Sequence, residues 1–362
     1  MKEMIYMKNF LVTMAAAAVT LAAMVGCSKD PESEANASAK RFFDAWMLVN
    51  YPDLTPTELG YYILEEDAGS GEIVGDEDSR QYLYGRYNSR DLATMAYSYT
   101  DDPQIAKQVG SYSQVDYYGP RVWYRGGNNL PVGLSDMMST MRVGGRRKAA
   151  IPSWLMTTKR YSKSSDYIRH SSSASPAIYE LFVDEVIDDI VEWEIDSLKR
   201  YMSAHYPGVD STKFGFYYVR TREPDWESSY SSGDDVYFNY IGRRLDGQVF
   251  DCTIRDTARR YGVFSESRDY EPVYINWDDS DYTALTMGED ANSIIPGFAY
   301  ALYQMKKGEK GVAIFYSGLG YGSTGSGNTI PSYSPLIFEL ECVGQTDETD
   351  PDAVETDDSS ED

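Results

Sequence analysis

The segment 318–327, GLGYGSTGSG, carries the spacing GxGxxG, which in dinucleotide-binding folds lets the backbone approach a pyrophosphate. That chemistry requires a helix directly after the glycines, because the helix N-terminus holds the phosphate. Here Pro331 and Pro335 oppose an early helix, and LIFELECV at 336–343 alternates in the manner of a strand. We therefore predict a flexible loop between two strands and no bound nucleotide.

Few other side chains offer nucleophilic or metal chemistry. The chain of 362 residues has two histidines, His170 and His205, which are too few for a histidine metal site or a Ser-His triad. We predict no metal and no cofactor. The sequence spacing of Cys252 and Cys342 does not decide between a disulfide and two thiols, and buried free thiols are favoured because free cysteine commonly packs in cores. A net charge of −24 excludes a nucleic-acid partner.

The N-terminus is typical of an export signal. Residues 7–27, MKNFLVTMAAAAVTLAAMVGC, combine a lysine, an apolar run and small residues. MVGC resembles the bacterial lipobox, which implies cleavage of residues 1–27 before Cys27 and lipidation of its thiol. The protein would then be lipid-anchored to the outer membrane of a Gram-negative cell envelope, facing the periplasm or the surface. A plain signal peptide with a chance cysteine is the alternative.

Both ends of the mature chain are polar. The region 28–54 is expected to hold a polar tether at 28–38 and a short helix at 37–49. The acidic tail at 346–362 has the composition of a disordered segment.

The chain repeats itself. NYPDLTPTELGYYIL at 50–64 aligns with HYPGVDSTKFGFYYV at 205–219, and SPAIYELFV at 175–183 aligns with SPLIFELECV at 334–343. Each copy reads as a short helix, strands, one amphipathic helix and further strands. The 32 tyrosines favour sheets. We predict an α+β fold in which each copy is an antiparallel sheet wrapped on one short helix.

The second copy resembles the FKBP-type peptidyl-prolyl cis-trans isomerases. Three segments carry the resemblance: VYFNYIGRRLDGQVFD at 236–251, IIPGFAYALYQMKKGEK at 294–310 and GLGYGSTGSGNTIPSYSPLIFELE at 318–341. It implies an isomerase of proline-containing polypeptides that needs no cofactor. The predicted domains are two FKBP-like units, a degenerate one at 55–185 and an isomerase at 214–345, joined by a linker helix at 186–213.

The resemblance also implies a substrate pocket. Its expected members are Tyr240, Phe250, Asp251, Ile294, Ile295, Phe298, Tyr321, Ile330 and Phe338. Two insertions, at 253–269 and 276–288, are expected to enlarge loops near the pocket mouth. Val273 stands where the family commonly has an aromatic residue.

The first copy departs further from the family. Tyr87 aligns with Tyr240, and Tyr97 and Ser98 are placed opposite Phe250 and Asp251. Three more residues differ from their partners in the second copy: Pro131 for Ile295, Leu134 for Phe298 and Thr157 for Tyr321. The catalytic carboxylate is therefore absent, and we expect weak or no activity from this copy.

Isomerising an X-Pro bond suits a chain without a nucleophile. The barrier of ~18–20 kcal/mol reflects lost amide resonance, and an apolar pocket favours the twisted, less polar amide. We expect the second copy to catalyse this step on exported proteins. Two alternatives remain open: a non-catalytic peptide-binding or chaperone protein that keeps the fold, and a structural component of a surface lipoprotein complex.

Overall fold

The computed structural model describes residues 31–170, 174–225 and 229–343 of the chain, with side chains from residue 37 onward. The predicted signal peptide with Cys27 and the predicted acidic tail at 346–362 lie outside these ranges. Within the described ranges, no helix is both long and apolar enough to cross a membrane.

The first half of the chain forms an antiparallel sheet. Its strands are β1 (Tyr62–Asp67), β2 (Tyr82–Asp91), β3 (Tyr97–Thr100), β4 (Arg121–Tyr124), β5 (Arg146–Ile151) and β6 (Ala177–Ile187). They lie in the order β1-β5-β6-β2-β3, and β4 also pairs with β2.

The second half forms another antiparallel sheet. Its strands are β7 (Phe216–Arg222), β8 (Asp235–Arg244), β9 (Val249–Cys252), β10 (Val273–Asn276), β11 (Thr286–Met287), β12 (Asn292–Ser293), β13 (Lys310–Phe315) and β14 (Leu336–Val343). They lie in the order β12-β11-β10-β8-β14-β13-β7, and β9 also pairs with β8. The glycine-rich stretch 318–327 lies between β13 and β14, as predicted.

Helices precede, connect or follow some of these strands. The α-helices of the described residues are α1 (Pro31–Asn50), α2 (Pro103–Val109), α3 (Val132–Ser139), α4 (Ser164–Arg169), α5 (Ile190–His205), α6 (Arg255–Tyr261) and α7 (Pro296–Gln304). Short 3-10 helices occur at Ser153–Leu155, Tyr282–Ala284 and Ser317–Leu319. The core of each half lies between its sheet and one short helix, α3 in the first and α7 in the second.

The two halves share one topology. The order β1-β5-β6-β2 repeats as β7-β13-β14-β8. In each half two further strands pair with the last strand of this order: β3 and β4 pair with β2, and β9 and β10 pair with β8. The registers also correspond, because Tyr87 pairs with Leu181 in the first sheet and Tyr240 pairs with Leu340 in the second. The described part of the chain therefore contains two α+β domains with the same topology.

The first helix is longer than predicted. Residues 31–38, expected to be tether, belong to α1. Proline is tolerated in the first turn of a helix, and the following glutamate and alanine residues have high helix propensity.

Helix α5 links the two sheets. Asp189 caps its N-terminus by accepting the backbone N–H groups of Val191 and Glu192. Its buried residues Leu198 and Met202 pack against Ile314 and Ile337 of the second sheet. At its start, the Trp193 ring lies 5.2 Å from the Tyr84 ring of the first sheet. The predicted linker helix thus packs on the second domain and touches the first.

The insertion at 276–288, expected to enlarge a loop near the pocket mouth, packs on α7. Tyr282 packs edge-on against Tyr300 of α7, with ring centroids 5.2 Å apart, and Trp277 stacks on Tyr303 at 5.8 Å. Trp277 and Leu285 are buried in the core of the second half. This segment supports α7 because its aromatic residues find apolar partners on that helix.

Candidate active site

Four aromatic side chains form a cluster in the second half, which we call the cup. Phe298 projects from α7, Phe338 from β14, Tyr240 from β8 and Phe250 from β9. The Phe338 centroid lies 4.9 Å from that of Phe298 and 5.7 Å from that of Phe250, both edge-on. Tyr240 meets Phe298 edge-on at 5.5 Å. Such edge-to-face pairs fix ring orientations beyond simple burial.

Two glycines allow this arrangement. A Cβ atom at Gly242 would lie 2.6 Å from the Phe250 ring, so only glycine leaves room for that ring beside β8. A Cβ atom at Gly297 would lie 2.5 Å from the Phe315 ring. Glycine at this position brings α7 close to β13, which sets the depth of Phe298 in the cup.

A polar group closes one edge of the cup. The Tyr240 hydroxyl donates to Asp251 Oδ2 at 2.6 Å. Arg268 forms an ion pair with Asp251 Oδ1 and also donates from Nη2 to the Tyr240 oxygen at 3.3 Å. Burial, together with the Asp251 charge, raises the pKa of Tyr240, so this hydroxyl stays protonated and acts as a donor.

The backbone around this group is held by β9. Thr253 follows β9, and its hydroxyl accepts the Tyr240 N–H at 2.9 Å, while its own N–H donates to the Tyr240 carbonyl at 3.1 Å. Asp251 pairs with Gly242 in the ladder between β8 and β9. The carboxylate and the tyrosine therefore come from neighbouring strands that are locked together.

The rim comes from loops. Ile294 and Ile295, just before α7, are half-buried and pack against the core cluster that contains Phe298 and Phe338. Ile330 joins that cluster and is only 3% exposed.

Tyr321 is the most open member of the rim, at 36% exposure. Burial, followed by the charge of Asp251, raises the pKa of Tyr321. The structure thus brings together eight of the nine predicted residues, in or beside one aromatic cluster, and places Tyr321 on the loop between β13 and β14.

Arg268 was not predicted. It lies in the insertion at 253–269, and no local pattern joins it to Asp251 because the pair is separated by 17 residues. The insertion also carries α6, whose counterpart in the first half is α2; each helix ends at a glycine of positive φ, Gly262 at 71° and Gly110 at 76°.

The first half has a different group at the equivalent place. Ser89 and Gly242 occupy matching positions on β2 and β8, and their partners on β3 and β9 are Tyr99 and Asp251. The sequence alignment of Ser98 with Asp251 and of Tyr97 with Phe250 was therefore wrong by one residue. The turn after β2 is one residue longer than the turn after β8, which shifts the following strand.

Tyr99 changes the chemistry of that position. Its ring stacks on Tyr87 with centroids 4.2 Å apart, where the second half has a hydroxyl–carboxylate pair. At the start of α3, the Val132 N–H donates to the Thr157 carbonyl at 2.8 Å. The backbone carbonyl of Thr157 thus already accepts the first N–H group of α3 in the first half.

Both described cysteines are buried and free, as predicted. Cys252 lies on β9 and Cys342 on β14. Burial raises the pKa of each thiol, so both remain protonated core residues.

The second half matches known proteins. A family model described as FKBP-type peptidyl-prolyl cis-trans isomerase matches residues 227–343. FK506-binding protein 1A of Aspergillus fumigatus is 31% identical over 112 residues, which cover 31% of this chain and 78% of that protein. FK506-binding protein 2 of Kluyveromyces lactis is 32% identical over 126 residues, 34% of this chain and 71% of that protein. The chain belongs to the FKBP-type isomerase family.

All nine predicted site residues lie within the FKBP match at 227–343. The FKBP-type 22 kDa peptidyl-prolyl cis-trans isomerase of Escherichia coli is 30% identical over 141 residues, 39% of this chain, and the chain spans 55% of its length. A crystal structure of Escherichia coli FkpA aligns with 42% of this chain and 58% of its own, at 25% identity and a TM-score of 0.30. The chain thus spans only about half the length of the first of these bacterial relatives.

Proposed function

We propose that the second half catalyses cis-trans isomerisation of X-Pro bonds in exported polypeptides. The observation that carries this proposal is the group formed by Tyr240, Asp251 and Arg268 at the edge of an apolar ring cup. Membership of the FKBP-type isomerase family supports it.

The cup suits the twisted amide. Rotation about the X-Pro bond breaks amide resonance and makes the twisted amide less polar than the planar amide. The rings of Phe250, Phe298 and Phe338 surround this state with apolar surface, which favours it over the more polar planar state. The Tyr321 hydroxyl, held protonated by its raised pKa, donates to a carbonyl of the bound peptide.

Asp251 acts at the polar edge. Its charge is balanced by Arg268 and shared with the Tyr240 hydroxyl, so it forms a fixed dipole beside the cup. A fixed dipole needs no reorganisation as the amide twists, which lowers the barrier. In this proposal, Asp251 orients the reacting carbonyl.

We assign catalysis to the second half alone. In the first half Tyr99 replaces the carboxylate and Thr157 replaces Tyr321. The Thr157 carbonyl also accepts the Val132 N–H at the start of α3. The first half therefore lacks both the dipole and the phenol donor.

The proposal is tested in the full chain by a protease-free assay on a short X-Pro peptide. Asp251→Ala and Tyr321→Phe are each expected to lower kcat/KM by roughly 10-fold or more, about 1.4 kcal/mol of transition-state stabilisation. Tyr99→Phe, which alters the equivalent position of the first half, is the matched control and is expected to retain full activity.

Wild-type activity in both site variants would contradict the assigned roles. No catalysis by the folded wild-type chain would favour the non-catalytic peptide-binding alternative, in which the same cup holds a peptide without turning it over. Activity lost in Tyr99→Phe would contradict the restriction to the second half.

We also propose that the chain is anchored in the cell envelope by a lipid on Cys27, because MVGC at the end of its apolar segment resembles a lipobox. Two acyl signals are needed for stable anchoring, and a lipidated N-terminal cysteine supplies them. The wild-type protein is expected to partition into the detergent phase of a cell extract and Cys27→Ser into the aqueous phase; equal partitioning would refute the anchor.

A further inference from the structure

The loop after the short second helix occurs in both halves. Residues 112–118 follow α2 and residues 264–270 follow α6. In each loop a serine N–H donates to a tyrosine hydroxyl five residues later, at 3.0 Å from Ser113 and 2.8 Å from Ser265. Each loop also stacks two aromatic rings, with centroids 5.5 Å apart in the first and 5.3 Å in the second. The two loops are thus duplicates in conformation.

The duplicates have different targets. The loop 264–270 turns onto its own half, where Arg268 binds Asp251. The loop 112–118 reaches across to the second half instead. The Tyr117 N–H donates to the Asn328 carbonyl at 2.9 Å, and Asn328 Nδ2 donates to Asp116 Oδ2 at 3.4 Å.

Arg244 of the second half connects Tyr117 to Thr329, the residue after Asn328. The Arg244 guanidinium lies 4.7 Å from the centroid of the Tyr117 ring, and its Nη1 donates to the Thr329 carbonyl at 2.6 Å. Arg244 is buried, so this cation–π contact is largely desolvated and correspondingly strong.

The same loop of the first half touches two more segments around the site. Gln248, in the turn between β8 and β9, donates from Nε2 to the Gln114 carbonyl at 2.9 Å. The Gln114 side chain lies against Gly262 at the end of α6, where a Cβ atom would come within 2.0 Å of it. One short segment, 114–117, therefore contacts three loops that carry or border Asp251, Arg268 and Ile330.

The contact with Asn328 bears directly on the rim. Ser326 and Ile330 exchange two backbone hydrogen bonds, of 2.7 and 3.0 Å, so residues 326–330 form a closed turn. Asn328 and Thr329 stand in that turn, and Ile330 is its buried anchor. The Gly325 N–H in turn donates to the Tyr321 carbonyl at 3.1 Å, which connects the turn to the phenol.

We propose that Asp116 and Tyr117 of the first half are positioning residues for the active site of the second half. They hold the turn 326–330 against the cup and so fix the rim of the peptide site. This inference rests on the proposed isomerase function for its effect on catalysis, whereas the bracing itself is measured independently of activity.

The test uses the full chain with the double substitution Asp116→Ala/Tyr117→Ala. The control is Tyr112→Ala, in the same loop, since the contacts of Tyr112 are with Lys107 and Tyr118. Tyr117→Phe keeps the ring below Arg244 and should restore the wild-type behaviour. We call the hold of segment 114–117 on the second half the brace. Gln248→Ala removes the hydrogen bond between Gln248 and the Gln114 carbonyl, so it tests the brace with no change in the first half.

Two readouts are measured. Peptide-level hydrogen exchange of residues 321–333 is expected to be about 10-fold faster in the double variant, because the loop loses a cation–π contact and a hydrogen bond. KM for an X-Pro peptide is expected to rise about 3- to 10-fold with kcat within about 2-fold, since the rim binds peptide and does not twist the amide. Gln248→Ala should raise exchange by about 3-fold.

The outcomes separate the two proposals. Exchange in 321–333 that stays at the wild-type rate in both the double variant and Gln248→Ala overturns the brace, and so does an equal change in Tyr112→Ala. Faster exchange in an otherwise folded chain, with no isomerase activity in the wild type, upholds the brace and overturns the proposed function. Faster exchange with unchanged KM overturns the positioning role.

Discussion

A buried glutamate of the linker helix holds the start of the active-site loop. Glu194 on α5 is only 2% exposed, and its two oxygens accept the backbone N–H and the hydroxyl of Ser317, each at 2.7 Å. The Ser317 carbonyl then accepts the N–H groups of Gly320 and Gly322, both at 2.8 Å. Replacing Glu194 by alanine therefore frees the turn that leads into Tyr321.

The size of the effect follows from these bonds. Each hydrogen bond to a charged acceptor contributes about 1.5–3 kcal/mol. Burial of the carboxylate offsets part of this, as the raised pKa of Glu194 indicates. We expect Glu194→Ala to lower the free energy of unfolding by about 2–3 kcal/mol and Tm by roughly 6–10 °C.

Calorimetry of the full chain measures this, with Glu194→Gln as the matched control. The glutamine amide keeps one acceptor oxygen, so we expect about half the loss at pH 7. The pH dependence adds a second check. Because the folded pKa of Glu194 is raised, its contribution is fully present below the unfolded pKa of about 4.3 and decreases as pH rises through the folded value. This slope should vanish in Glu194→Gln.

A loss below about 0.5 kcal/mol in Glu194→Ala would refute the reasoning, because that is the range of an ordinary surface substitution. An unchanged pH slope in Glu194→Gln would refute the assignment of the titration to this carboxyl group.

Two further substitutions test the packing and the electrostatics of the two sites. Gly242→Ala should displace the Phe250 ring, since the new Cβ would lie 2.6 Å from it. Because overpacking is destabilising, we expect denaturant unfolding to show a loss of about 1–3 kcal/mol in the free energy of unfolding, and the peptide assay to show reduced isomerase activity. Full activity would argue against a role for that ring. In the first half, burial raises the pKa of Asp101, directly after β3, to about 6. The free energy of unfolding should therefore fall as pH rises from about 4 to about 6. Asp101→Asn should remove about 1–2 kcal/mol of that dependence after allowance for solvent screening, and an identical pH profile of unfolding in the variant would contradict this.

Most of the second-half site was predicted from the resemblance to the FKBP-type isomerases, whose motif residues fall at fixed places in strands and at a helix start. Ile295 precedes α7, and Phe338 stands in an alternating strand. Arg268 was missed because an ion pair between a loop and a strand leaves no periodic signal. Ser98 was placed opposite Asp251 instead of Tyr99, because nothing local to this strand reveals the extra residue in the preceding turn.

The start of α1 shows a different limit. The residues from 31 to 38 are polar enough to resemble a tether, yet proline followed by glutamate and alanine also satisfies the rules for a helix start. Composition indicates solvent exposure, and both a tether and a solvated helix are exposed. The distinction depends on apolar residues further along, such as Phe43 and Met47, which anchor α1 to the first core.

The last strand of each half lies inside its sheet. Strand β6 is inserted between β5 and β2, and β14 between β13 and β8. During synthesis, the earlier strands of a half therefore wait without their central partner until that strand emerges, and their pairing must span a long stretch of chain. The second half gains Phe338, a wall of its aromatic cup, in this final step. Each sheet thus becomes continuous only when the last strand of its half leaves the ribosome.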